Sequence, residues 1–391
     1  MPRKPISENE RIQMVLDRFS MLREGKGLFP IKTLAEKYHR EPAVISRAIA
    51  AAFRDGLVEI RPVDRLRRDP RRHLALEQRL LEAYPTLLAA IVVQSETPAP
   101  NEYDDDAERI YDDVHARLGQ ALAHYIVSGP LLRDGDRIGL SGGRAIYHCV
   151  DAMLHLAPLR ASSVVLASLT GLNHARHRSR NNWRAFRLDA DTHVQLLGQS
   201  FTTEPMLKLL SFPLVLDDAA EKERVWTRVW LGSPGQWGWG KEPLNQGIAG
   251  VGSLAPGHHF FQAFAEGVLG EDHVWLPIHG ELKELIELCQ AETTGTYCPV
   301  GDIANRFFFV PPPKGRMIPA HRFEKLIEAI NSRLLTVSLE QLRAIPSLVL
   351  VAGTRIKARA IQTLLDDRNM RVKYLCTDHA AADLILQNRD R

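Results

Sequence analysis

Ile31-Lys-Thr-Leu-Ala-Glu-Lys-Tyr-His-Arg-Glu-Pro-Ala-Val-Ile-Ser-Arg-Ala-Ile-Ala-Ala-Ala-Phe-Arg-Asp-Gly-Leu-Val-Glu-Ile-Arg61 reads as helix, tight turn, helix and short strand. Ile31, Leu34, Ala35 and Tyr38 recur at helical spacing. His39-Arg40-Glu41 interrupts that face, and Pro42 suits the first turn of a new helix, where its missing N–H costs nothing. Val44, Ile45, Ala48, Ile49, Ala52 and Phe53 carry the second apolar face, which Asp55-Gly56 ends. Leu57 to Arg61 alternates as a short strand, in the position of a wing. Two short helices about a tight turn form a helix-turn-helix, whose second helix can enter a major groove. The candidate DNA-contacting residues are Lys32, Thr33, Ala43, Val44, Ser46, Arg47 and Arg54, of which Ser46 and Arg47 can reach base edges or phosphates. A small helical bundle with a solvated basic face fits the same pattern.

Working outward, Ile12, Val15, Leu16, Phe19 and Leu22 place a supporting helix over Asn9–Glu24. Residues 1–72 hold 17 lysines and arginines against 10 acidic residues; the remainder holds 33 against 37. A basic head on a mildly acidic body suits polyanion contact at the N-terminus, or simply a charged, solvated surface. Pro62 to Arg72 is an arginine-dense linker, and His73 to Tyr84 a leucine-rich helix fit for oligomer contacts. The expected division is therefore 1–62 for a helix-turn-helix domain, 63–85 for linker and oligomerisation helix, and 86–391 for an effector domain.

At 391 residues the chain can bury a large core, and no run approaches the ~18 apolar residues of a membrane span. No signal peptide opens it, so a cytoplasmic location is expected. Cys149, Cys289, Cys298 and Cys376 are scattered without metal or disulfide spacing. No metal and no cofactor are expected.

The larger part alternates apolar strands with helices, which argues for a parallel sheet covered on both faces. Leu87–Val93, Arg137–Leu140, Ser162–Leu169, Ser347–Ala352 and Val372–Cys376 are strand candidates; Glu108–Ile126, Glu281–Gln290, His321–Arg333 and Lys357–Leu365 are helical. Val225–Leu231 is a strand or a short helix, and Gly247–Gly252 a glycine-rich strand-loop segment. The basic stretch Thr170–Phe201 is open between a disordered loop, an anion-contacting lid and an inserted helix. Ser233–Gly240 is a glycine-tryptophan loop. Two glycine turns, Ser141-Gly142-Gly143-Arg144 and Gly353-Thr354, each lead from an apolar strand into a helix. Such turns aim free N–H groups and the positive helix end at an anion, and a phosphate suits them.

Four segments together resemble one family. They are the helix-turn-helix with Ser46-Arg47, Ile138-Gly-Leu-Ser-Gly-Gly-Arg144, Val300-Gly-Asp-Ile-Ala-Asn-Arg-Phe-Phe308, and Val349-Leu-Val-Ala-Gly-Thr-Arg-Ile-Lys-Ala-Arg-Ala-Ile361 with Leu375-Cys-Thr-Asp378. The chain resembles the SorC (SorC/DeoR-type) sugar-binding transcriptional regulators. That resemblance implies an α/β chain: an N-terminal (winged) helix-turn-helix, then a Rossmann-like effector domain similar to ribose-phosphate isomerase and glucosamine-phosphate deaminase folds. It also implies operator binding as a homodimer or homotetramer and a sugar or sugar-phosphate effector. Lys357 matches the family's lysine after the glycine turn, which implies anion binding; otherwise it is a solvated first-turn lysine. Asp302 is either a carboxylate for sugar hydroxyls, set apart from the phosphate, or a helix N-cap. Departures are Arg144, where the family often has threonine, and Leu169-Thr-Gly-Leu-Asn173 in place of a strand followed by Asn-Gly-Gly. The expected effector residues are Ser141, Gly142, Gly143, Arg144, Thr170, Asn173, Asp302, Gly353, Thr354 and Lys357.

Double-stranded operator DNA and a small-molecule effector are thus the expected partners, with no membrane. The competing class is a sugar-phosphate isomerase- or deaminase-like enzyme on a DNA-binding head, with Asp302, Asp378 and His148 or His174 as candidate bases. A ligand-independent architectural DNA binder is a third class.

Overall fold

A computed structural model describes residues 6–19, 30–54, 72–95, 105–128, 131–156, 158–172, 189–211, 214–231, 243–255 and 276–390. The wing strand at 57–61, the arginines of 65–71, Asn173, His174 and the loop 233–240 lie outside the described residues. The chain divides into two units, Met1–Asp64 and Arg65–Arg391.

The described part of the first unit comprises α1 (Glu8–Phe19), α2 (Ile31–Lys37) and α3 (Pro42–Arg54). Ser7 starts α1 by accepting the N–H of Glu10 on its hydroxyl, at 3.2 Å. Tyr38 ends α2 and His39 turns into the left-handed region at φ 50°. The His39 N–H then reaches the Glu36 carbonyl and the Arg40 N–H the Ala35 carbonyl, the double bond pattern of a Schellman cap. That cap, rather than a mere break in periodicity, makes the sharp turn before Pro42. Met14, Leu34, Ala35, Ile45 and Ala48 form the core between the three helices. The Tyr38 hydroxyl donates to Asp17 at 2.6 Å and so ties α2 to α1.

The second unit is built on a parallel sheet. Its strands are β1 (Ala89–Val93), β2 (Arg137–Leu140), β3 (Val165–Ser168), β4 (Met206–Lys208), β5 (Gln246–Ser253), β8 (Ser347–Val351) and β9 (Val372–Asp378), with β6 (Val300–Ile303) and β7 (Arg306–Phe309) as a hairpin. The order is β1-β9-β8-β5-β2-β3-β4, and the hairpin pairs antiparallel to the end of β5. Alternation along each strand sorts the core onto two faces. Ala90, Val92, Leu348 and Leu350 pack with α4 (Leu74–Ala83), α12 (Ala358–Asp366) and α13 (His379–Asp390). Ile91, Val93, Val349 and Val351 pack with α5 (Asp105–Ser128), α6 (Arg144–Leu154) and α7 (Ala190–Gly198). A mixed α/β unit of this kind is Rossmann-like. A third cluster joins the hairpin to α9 (His279–Glu292) and α10 (Ala320–Asn331) through Phe307, Leu285 and Phe323.

Several local readings that the sequence left open are resolved, some of them as alternatives it named. Gly247–Gly252 is the middle of β5, a central strand, in which Gly247 and Gly252 leave room for the side chains of Leu348 and Asp302. Residues 219–231 are a helix, α8 (Ala219–Leu231), with no strand at Val225. Part of the basic stretch is helix α7, whose His193 and Val194 are buried. Helix α4 spends Leu76 and Leu80 on this unit's own core and leaves Leu74 exposed. Arg72, at the end of the arginine-dense segment, is held by the buried Glu77 at 2.6 Å, while Glu77 also accepts the N–H of Val92. Among the described residues no helix is long and apolar enough to cross a membrane.

Helices α5 and α6 approach closely at Gly119. A Cβ there would lie 2.5 Å from the Cys149 nitrogen and 2.7 Å from the Ala145 carbonyl oxygen. Backbone cannot yield as a side-chain tip can. Gly119→Ala is expected to cost about 1–3 kcal/mol or more, read as a lower denaturant midpoint at unchanged m-value. An unchanged midpoint would show that the two helices part freely.

Candidate functional site

In doubly wound sheets, ligands bind beyond the carboxyl ends of the strands where the strand order reverses. Here β3 and β4 extend to one side of β2, while β5 begins the other side. The reversal therefore lies between β2 and β5, and the turn Ser141–Gly143 leaves β2 there.

Ser141 is fully buried, and its hydroxyl donates to the Gly142 carbonyl at 2.9 Å while accepting the Gly250 N–H at 3.0 Å. It thus locks the turn to β5, with its hydroxyl engaged by the chain itself. The His193 ring adds a contact of 3.0 Å between Nδ1 and the Ser141 carbonyl oxygen. Gly143 starts α6 at φ 119°, a backbone angle that suits glycine, and Arg144 is the first helical residue.

The second turn follows β8. Thr354 takes φ 84°, costly for a branched residue, and its N–H donates to Asp378 Oδ1 at 2.8 Å. Asp378 is fully buried, and it also accepts the Ser95 hydroxyl at 3.0 Å and the Ala381 N–H at 3.2 Å. It caps α13 and pins the turn, a holding role in place of the general base of the enzyme reading. The turn continues as a short 3-10 stretch, Arg355–Lys357.

Lys357 is only 6% exposed, so the solvated first-turn reading does not hold. Its Nζ lies 3.3 Å from His115 Nε2 of α5. Burial lowers its pKa to about 8; Asp302 and Asp378 work against that shift, and the charge of Arg144 works with it. Asp302 sits in β6 at 7% exposure, a strand position that removes the N-cap reading. Burial lifts its carboxyl to about 6, against the pull of Lys357 and a bond from the Asn305 backbone. The two groups therefore stand within electrostatic reach of each other. Hairpin pairing places Asp302 opposite Gly252, where a Cβ would fall 1.9 Å from the carboxylate oxygen. Only glycine in β5 leaves space for that carboxylate. Residues Ala304 and Asn305, at φ 50° and 60°, form the tight turn that joins β6 to β7.

Arg144, Asp302, Gly353, Thr354 and Lys357 thus converge with Gly142–Gly143 at one sheet edge. Thr170 lies on the β3 side, bridged to Thr336, whose hydroxyl donates to the Ala304 carbonyl at 2.5 Å. Thr170 Oγ1 and Thr354 Oγ1 are buried without a hydrogen-bond partner among the described residues. Such hydroxyls are available to a polar ligand. His115 was not anticipated: it lies mid-helix in α5, and nothing in its local pattern marks it. His148, on α6, faces Asp112 at 3.6 Å. In the first unit, Lys32, Thr33, Ala43, Ser46 and Arg47 are exposed and Val44 half-buried, while the side chain of Arg54 lies outside the described residues. Arg47 folds its Nε back to the Ala43 carbonyl at 3.2 Å. Among the described residues, no group of three or more His, Cys, Asp or Glu can hold a metal ion.

Comparison with known proteins follows the same outline. Residues 68–229 and 300–387 match the Sugar-bind family of sugar-binding domains. The deoxyribonucleoside regulator of Bacillus subtilis (strain 168) is 26% identical over 353 residues, covering 90% of this chain and 91% of that protein. The full-length sorbitol operon regulator SorC of Klebsiella pneumoniae superposes with a TM-score of 0.52 at 20% identity, over 97% of this chain and 100% of that one. A DeoR family transcriptional regulator from Listeria monocytogenes gives 0.51 at 18% identity, over 80% and 98%. The two superpositions establish likeness of fold, and the family match bears out the resemblance drawn from the motifs.

The buried pair carries a pH signature. The folded chain binds the Asp302 proton near pH 6, whereas an unfolded carboxyl waits until about 3.8, so stability rises as pH falls between those values. The folded chain releases the Lys357 proton near pH 8, against 10.5 when unfolded, so stability also rises as pH climbs from 8. Both groups are charged, and burial is most costly, between about pH 6 and 8. Denaturant unfolding should therefore show the apolar double variant Asp302→Leu/Lys357→Met gaining most on the wild type in that window, and less on either side. A difference independent of pH would refute the assignment.

Proposed function

The chain belongs to the Sugar-bind family of sugar-binding domains, and from that premise we propose that it is a DNA-binding transcriptional regulator whose operator binding is set by a small sugar or phosphosugar. The observation that carries the effector half is the edge-on convergence of Lys357, Arg144 and Asp302 with the turn Gly142–Gly143. Two cations raise each other's cost where they stand, and an anion between them relieves it. A phosphate does so while also meeting the N–H groups that begin α6. Once Lys357 turns to the phosphate, Asp302 is left to accept sugar hydroxyls. The relatives are named as regulators and the matched family as sugar-binding, so the enzyme reading is not favoured.

The DNA half is supported by α2 and α3. Their buried faces, Leu34, Ala35, Ile45 and Ala48, make the core, which turns Ser46 and Arg47 outward on α3 and Lys32 and Thr33 outward on α2. One such motif reads a half-site, so a homodimer or homotetramer on double-stranded operator DNA completes the proposal, with the protein in the cytoplasm.

Calorimetry tests the effector half, using a hit from a thermal-shift screen of sugar phosphates. Lys357→Ala should weaken the phosphorylated ligand strongly and its dephosphorylated counterpart little, and wild-type affinity for the former should fall as pH rises past about 8. Equal losses for both ligands would show that the lysine does not read the phosphate. For the DNA half, Arg47→Ala is expected to cost about 1–3 kcal/mol on the specific operator in fluorescence anisotropy. Unchanged operator affinity in a folded Arg47→Ala protein would remove that residue from the interface.

A further inference from the structure

A second cleft, of about 450 Å³, opens between the start of α4, the turn Arg355–Lys357 and the first turn of α13. None of Lys357, Asp302 and Arg144 lines it. Its polar lining is Arg79, Arg355, His73, His379 and Asp383, set against Leu76. The size falls within the roughly 300–1,000 Å³ of small-molecule sites.

The donors in this lining are uncommitted. Among the described residues no carboxylate pairs with Arg79 or Arg355, although the same unit pairs Arg72, Arg316, Arg322 and Arg343 with acids. The single acid of the lining, Asp383, accepts from the Gln387 amide on its own helix. Both histidines are oriented by the backbone. His73 Nδ1 accepts the Leu76 N–H at 3.4 Å and His379 Nδ1 accepts the Ser95 N–H at 3.3 Å. A ring whose Nδ1 accepts carries its proton on Nε2, so each presents Nε2–H as a donor. Two guanidinium forks and two imidazole N–H groups around one small cleft are an anion-recognition set. The forks match the oxygens of a phosphate.

We infer that this cleft is a second ligand site, for a small phosphate monoester bound by Arg79, Arg355, His73 and His379. The Asp383 carboxylate excludes a ligand that is anionic throughout and suits one bearing hydroxyls beside its phosphate. Arg355 and Lys357 stand on the same three-residue turn, one serving each pocket, so the two sites share backbone while using separate side chains. The inference does not depend on what Lys357 binds.

The test is inorganic phosphate binding to the full chain, followed by ³¹P line broadening. Four proteins are compared: wild type, Lys357→Ala, Arg79→Ala/Arg355→Ala, and the triple variant. The arginines are surface residues, so the double variant should keep the wild-type unfolding midpoint. Phosphate binding should persist in Lys357→Ala and be lost, by about tenfold or more in affinity, in the triple variant. Loss of all binding in Lys357→Ala would overturn the second site. Equal binding by Lys357→Ala and the triple variant would overturn it too. Failure of the first site reads differently: Lys357→Ala would then match wild type at every phosphate concentration.

Discussion

The Asp378 carboxylate holds the functional edge of the larger unit together. Fully buried at the end of β9, it accepts from the Thr354 N–H, the Ser95 hydroxyl and the Ala381 N–H. A buried carboxylate is tolerated only when its lone pairs are met. Three donors from three separate segments meet these, so the loop after β1, the turn after β8 and the start of α13 are fixed by one group. The strained φ of Thr354 is sustained by that bond. Lys357 is three residues further on, and its place beside Asp302 and His115 follows from that turn.

Around this anchor the chain assembles charges that it could more cheaply leave in water. Burial pushes Lys357 down and Asp302 up toward neutrality; their mutual attraction resists both shifts, helped by Asp378 for the lysine and by the Asn305 backbone for the carboxyl. Arg144 adds a second positive charge instead of a second neutralising one. A buried pair of this kind does little for stability and much for recognition, because its preferred state changes when an outside charge arrives. In the proposed function, that outside charge is the anionic group of the effector. On that proposal, Arg144, standing at the head of α6 where the family often has threonine, adds a cation to the anion subsite.

The smaller unit obeys a different constraint. Among the described residues its three short helices share a small core centred on Met14, Leu34 and Ile45. Its shape relies on a Schellman cap at His39 and on the Tyr38 hydrogen bond to Asp17, both local devices. What it presents outward is therefore decided by helical phase alone.

That difference decides how much could be read without coordinates. Helical periodicity located α2 and α3, and continuous apolar runs located β1 and β8, because a strand buried on both faces is apolar along almost its whole length. Both glycine turns were legible as local patterns of strand, turn and helix, whereas Lys357 was singled out by the family resemblance. The partnerships were not. Gly252 and Asp302 lie far apart in sequence and meet only through the antiparallel pairing of β5 with β6, and Gly247–Gly252, which reads as a strand-loop segment, is strand throughout. His115 reaches Lys357 from a helix more than two hundred residues earlier, and Asp378 and Ser95 are as widely separated. The amino-acid sequence by itself determined the elements and the chemistry available, since propensity and periodicity act over a few residues. Only the tertiary structure decided which charges share a pocket, because burial and electrostatic contact are properties of positions in space.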